Sequence, residues 1–213
     1  MTIMKGGIVN PATWNEDKQK GICRQVLVIL KEAPAGEHFQ LLKHLNEGGR
    51  GNTYNNVAMW LFLLRHFRRD NTDISFKEAL KKKTKKGRWG NLIHAAVINI
   101  NDHWLKSAKG KRTKDSMLYE NHTAERQAEI ESFISETAPE VILCGGKVVV
   151  ECLRKYGTLT KFEKDDTLLV KAYRYTVNGK DFLLISMPHP NAPIKQALAY
   201  KSLMNLIEKI QIK

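Results

Sequence analysis

The sequence predicts a three-layer α/β/α domain on a mostly parallel four-stranded sheet, with a hairpin added at one edge. Three observations lead there. Four short, continuous apolar runs are each closed by Gly, Pro or polar residues. Segments with helical spacing of apolar residues lie between the runs. An Asn178-Gly179 dipeptide joins the last run to the alternating segment before it. Strands that alternate with helices imply a parallel sheet covered on both faces.

The first run is Gln25 to Leu30, ending in Lys31-Glu32-Ala33-Pro34-Ala35-Gly36. Uninterrupted apolar character suits a strand buried on both faces, because no side faces water. The second run is Ile93 to Ile100, the third is Val141 to Cys144 before Gly145-Gly146, and the fourth is Phe182 to Ser186 before Met187-Pro188-His189-Pro190. Helices are expected at Thr53–Phe67, Thr123–Thr137 and Lys147–Tyr156, and at Pro193–Ile212 with Leu198, Leu203, Leu206, Ile207 and Ile210 as its inner stripe. Leu168–Val177 alternates and meets Phe182 through Asn178-Gly179, the strongest short hairpin signal, so it is expected to run antiparallel at the sheet edge. Ser107–Met117 reads as a polar, basic, mobile loop.

With 213 residues, 42% hydrophobic and 27% charged, the chain has the profile of one globular domain spanning 1–213. Lys and Arg number 35 against 22 Asp and Glu, a formal charge of +13, which favours a polyanionic partner through counterion release. The positive charge is clustered. Lys81, Lys82, Lys83, Lys85, Lys86 and Arg88 precede Trp89, and Lys106, Lys109, Lys111, Arg112 and Lys114 form a second group across the same strand. Both groups are expected on one rim. Cys23, Cys144 and Cys152 are widely spaced, and His44, His66, His94, His103 and His122 lack metal-ligand spacing, so neither a metal nor another cofactor is expected. Three thiols without an apolar leader fit a reducing cytoplasm, and no run of about eighteen apolar residues suggests a membrane span. Walker, dinucleotide-binding and nucleophile-elbow motifs are absent, which argues against nucleotide-binding or hydrolase chemistry of those kinds.

In open α/β sheets, ligands bind beyond the carboxyl ends of the strands. Those ends offer Glu32, Asn99, the Gly145-Gly146 turn and His189. Leu30-Lys31-Glu32-Ala33-Pro34-Ala35-Gly36 resembles the first motif of the uracil-DNA glycosylase superfamily, Gly-Glu-Ala-Pro-Gly. His189-Pro190-Asn191 resembles its second motif, His-Pro-Ser, and Pro139 to Gly146 is similar to its third strand. Asn99 stands where that family places the Asn that reads the base, and the order of all four agrees over residues 25–207.

The resemblance implies a metal-independent DNA glycosylase that removes uracil or a related damaged base after flipping it from the stack, with DNA, including single-stranded or damaged DNA, as partner. His189 would donate to the uracil O2 as negative charge develops there, and Glu32 would position the attacking water. Asn99 would pair with N3 and O4, Tyr54 would stack on the base, and Ala33, Pro34 and Asn191 would line its pocket. Ile194 would fill the vacated stack, and Gly145 with Lys147 would hold a phosphate at a helix N-terminus. The sequence departs from the family pattern in five ways. Lys31 replaces the first Gly, Asn191 replaces Ser, the Asp or Asn that activates water in the most active members is missing, so are the cysteines of the iron–sulfur members, and the polar, Gly-rich stretch Gly48–Asn56 matches the family's pocket wall only loosely. These departures motivate a second expectation: a catalytically inactive module of the same fold that binds nucleic acid.

Overall fold

The computed structural model describes residues 6–21, 23–32, 41–49, 51–101, 113–164 and 169–211, with Glu32 described for its backbone alone. The strands are β1 (Gly7–Ile8), β2 (Val26–Glu32), β3 (Ala95–Asn101), β4 (Val141–Gly145), β5 (Thr158–Lys164), β6 (Lys171–Val177) and β7 (Lys180–Met187). They form one mixed sheet in the order β1-β3-β2-β4-β7-β6-β5. The fold is α/β as expected, but the sheet has seven strands rather than four. The four apolar runs make its contiguous parallel centre, β3-β2-β4-β7. Antiparallel β1 flanks it on one side, and antiparallel β6 and β5 on the other.

The extra strands escaped a reading based on apolar runs for physical reasons. β1 is two residues long. β5 contains no fully buried residue and carries Lys161, Glu163 and Lys164, the charged composition that protects an edge strand from pairing with another chain.

Alternation along the central strands divides the core in two. Val26, Val28, Leu30, Val97, Leu143, Ile185 and Met187 face one layer, while Leu27, Ile29, Ile98, Ile142, Cys144 and Leu184 face the other. The first layer is packed by α2 (Leu41–Asn46), α3 (Gly51–His66), α4 (Phe76–Leu80), α5 (Lys85–Leu92) and α9 (Gln196–Lys209). The second is packed by α1 (Pro11–Lys20), α6 (Asp115–Asn121), α7 (Ala124–Thr137) and α8 (Lys147–Tyr156).

Several helices have strong end signals but weak apolar stripes. In α1, Asn10 caps the Thr13 amide at 3.1 Å, Pro11 fits the first turn, and Gly21 at φ 60° closes the helix. Only Trp14 and Asp17 of that helix are buried, which explains why periodicity missed it. Helix α6 begins at Asp115, inside the segment expected to be a loop, and residues 107–112 of that segment lie outside the described residues. In α9, Leu198 is 41% exposed and does not belong to the inner stripe assigned to it. Among the described residues, no helix is long and apolar enough to cross a membrane.

The Asn178-Gly179 hairpin forms as expected. Asn178 and Gly179 have φ of 49° and 76°, and Val177 pairs with Lys180 across the turn. A Cβ on Gly179 would meet nothing within 4 Å, so replacing it tests backbone conformation alone. Gly179→Ala is expected to cost about 1 kcal/mol, read as a lower urea midpoint with an unchanged slope.

Candidate functional site

Parallel pairing aligns the carboxyl ends of β3, β2, β4 and β7 at one edge of the sheet. Three of these ends are in intimate contact. A Cβ on Gly145 would lie 2.7 Å from Leu30 Cδ2 and 3.3 Å from Pro190 Cδ. A Cβ on Gly146 would lie 3.2 Å from Lys31 Cε and 3.7 Å from His189 Cβ. The two glycines therefore let the first and last motifs approach each other. Gly146 has φ of 129°, donates to the Met187 carbonyl at 3.0 Å, and starts α8 without a side-chain cap. Lys31 lies along this turn and pairs with Asp115 at 2.5 Å.

His189 is oriented by its own loop. The Asn191 backbone N–H donates to His189 Nδ1 at 3.1 Å. Nδ1 must then carry a lone pair, so the proton of the neutral ring resides on Nε2, making that atom a hydrogen-bond donor. Asn191 in turn donates from Nδ2 to Thr53 Oγ1 at 2.7 Å. The buried Asn56 of α3 donates to the Pro190 carbonyl at 2.6 Å, while its Oδ1 has no hydrogen-bond partner among the described residues. Helix α3 thus holds the His189 loop at two points. Sequence reasoning named neither Thr53 nor Asn56 as a site residue, although both lie in the polar Gly48–Asn56 stretch compared with the family's pocket wall. Asn56→Ala leaves the Pro190 carbonyl without its donor and is expected to cost about 1–3 kcal/mol, read from the urea midpoint.

Asn99 lies beside Leu30 in the β2–β3 register, on the α3 side of the sheet, and is 2% exposed. Among the described residues its Nδ2 has no hydrogen-bond partner, and neither has that of Asn101, two residues on and on the same face. An unmade buried hydrogen bond is costly, so both amides call for a partner beyond the contacts of the described residues. Asn101 was legible at the same strand end, just after Asn99, but was given no role. Asn99 and His189 do not line a common cavity among the described residues. A small cavity of about 10 Å³ beside His189 is lined by Asn56, Trp60, Pro190, Ile194 and Gln196, among others, but not by Asn99. Three inter-strand spacings separate β3 from β7, about 14 Å at 4.8 Å each.

Of the remaining expected site residues, Tyr54, Ile194 and Lys147 have definite positions. Tyr54 is 5% exposed, with its ring 5.2 Å from that of His44 and a hydroxyl pKa pushed up to about 12 by burial. It is packed into the core, not presented as a stacking surface. Ile194 is partly buried against the same core. Lys147 is exposed at the start of α8 and pairs with Glu151 at 3.0 Å. The side chain of Glu32 and all of Ala33 and Pro34 lie outside the described residues.

The first lysine group is folded against this site. Thr84 caps α5 through the Gly87 amide at 3.1 Å. Arg88 donates from Nε to the carbonyls of Gly48 and Gly49 at 2.9 and 3.2 Å, and from Nη1 to Asn55 Oδ1 at 2.8 Å. Lys83 Nζ hydrogen-bonds the side chain of Gln196, which lines the small cavity beside His189. Lys81, Lys85 and Lys86 are exposed, as is Trp89 at 44%. Of the second basic group, only Lys114 falls within the described residues. No known protein family and no curated protein matches the sequence.

Proposed function

We propose that this protein is a DNA glycosylase-like enzyme that releases uracil or a related damaged base by hydrolysing its N-glycosidic bond. The observation that carries the reading is the hydrogen bond from the Asn191 amide to His189 Nδ1, which makes Nε2 a donor. A neutral donor of this kind stabilises the anion that a departing base becomes. The amide donors of Asn99 and Asn101, which have no partner among the described residues, fit recognition of carbonyl oxygens on a base. The exposed lysines of α5 and the exposed Trp89 suit a nucleic-acid backbone and an unstacked base.

Incubation with uracil-containing oligonucleotides, single- and double-stranded, followed by alkaline cleavage, tests this reading. Strand scission that depends on uracil is the expected result. No scission with uracil or with a panel of other damaged bases removes the enzymatic reading.

A second reading is favoured by the volume beside His189, which has room for about one water, and by Lys31 lying along the Gly146 turn. In it, the same fold binds DNA through the basic face without chemistry. It predicts salt-sensitive binding and no base release, so the same oligonucleotides distinguish the two.

A further inference from the structure

Three chemically different donors meet at the opposite end of the sheet. Asp17 of α1, Cys23 on the approach to β2 and His94 directly before β3 each offer one ligand atom, all within 4.8 Å of one another. Asp17 and His94 are 77 residues apart in sequence, yet Asp17 Oδ2 lies 2.5 Å from His94 Nδ1. Asp17 is 9% exposed and Cys23 3% exposed, while His94 keeps 21% of its side-chain surface. Water therefore reaches a cluster that is otherwise enclosed. The buried Arg65 donates from Nη2 to Cys23 Sγ at 3.4 Å and from Nη1 to Asn91 Oδ1 at 3.4 Å.

We propose that Asp17, Cys23 and His94 bind one zinc(II) ion, with water as fourth ligand. The donor set is selective. One sulfur, one imidazole nitrogen and one carboxylate oxygen suit a borderline-soft dication, whereas calcium and magnesium take oxygen shells. Zinc bonds of about 2.0–2.3 Å place tetrahedral ligand atoms about 3.3–3.7 Å apart, so a shift of about 1 Å brings these three atoms to that spacing. Metal binding deprotonates Cys23, and the thiol proton leaves to solvent. The thiolate and the Asp17 carboxylate together balance the dication. Arg65 repels a cation bound by charge alone, but it stabilises the thiolate from outside the coordination sphere, as such partners of ligands do. The ion would tie α1 to the base of β2 and β3. This site is independent of the strand-end reading. It lies at the other end of seven-residue parallel strands, about 20 Å away at 3.3 Å per residue.

Cobalt(II) titration of the metal-free full chain tests the proposal. The expected result is one cobalt per chain, a thiolate-to-cobalt charge-transfer band, tetrahedral visible bands, and displacement of both by zinc. Zinc should also raise the melting temperature. Cys23→Ser should abolish the charge-transfer band. His94→Gln should weaken zinc binding by more than the roughly 10–100-fold typical of losing a partner outside the coordination sphere. Absence of stoichiometric binding by the wild-type chain overturns the proposal. So does a charge-transfer band that survives in Cys23→Ser, which would belong to Cys144 or Cys152. If Cys23→Ser does not fold, the His94→Gln titration decides, and unchanged affinity there overturns the proposal.

Discussion

His189→Ala is expected to slow base release about 10²–10³-fold while leaving DNA affinity essentially unchanged. The argument is electrostatic. Cleavage of the glycosidic bond puts negative charge on the departing base, and a donor already aimed at that charge needs no reorganisation during the reaction. Loss of one such donor typically costs about 2.7–4 kcal/mol in the transition state. Asn191 holds Nδ1, and Thr53 holds Asn191, so the ring is oriented before substrate arrives. The loss should appear in kcat with little change in KM, because the interaction strengthens only as charge develops. Single-turnover measurement of abasic-site formation reads it directly. Wild-type rates in the Ala variant would mean that His189 takes no part in the chemistry.

Lys85→Glu combined with Lys86→Glu is expected to weaken DNA binding by roughly tenfold to a hundredfold at moderate salt. It should also reduce the slope of log affinity against log salt by about 2, because two fewer phosphates are neutralised and each contributes about 1. Both side chains are exposed on α5, whereas Lys82 lies 4.3 Å from the Phe62 ring centroid and Lys83 bonds Gln196. Reversing the exposed pair therefore changes charge without removing packing. Fluorescence anisotropy over a range of salt concentrations provides the measurement. An unchanged slope would show that α5 does not contact phosphate, and the strand-end site would then have to bind DNA without this helix. The double variant should melt near the wild-type temperature, since exposed charges away from special contacts contribute little to stability.

The parallel centre of the sheet was legible because burial on both faces demands unbroken apolar runs, and Val26–Leu30 and Val141–Cys144 are such runs. The edges were not, because β5 is solvated and β1 is too short to carry a pattern. Helices α1 and α5 announce themselves by capping residues rather than stripes, so periodicity passed over them. Within the site, His189 and the Gly145-Gly146 turn could be singled out from the sequence, and the structure packs His189 and Lys31 each against Gly146. Thr53 and Asn56, which hold the His189 loop, could not, because their importance lies in partners 138 and 134 residues away.

By itself, the amino-acid order determined the α/β class, the four central strands, the Asn178-Gly179 hairpin and the excess of positive charge. These are local or additive properties: burial pattern, turn conformation and summed charge are all written in short stretches of chain. Tertiary structure alone decided the strand order, the packing of Tyr54 into the core, the docking of Arg88 of α5 on Gly48, Gly49 and Asn55, and the meeting of Asp17 with Cys23 and His94. Each of these depends on which distant segments touch, and packing and hydrogen bonding select such contacts only once the chain has closed on itself.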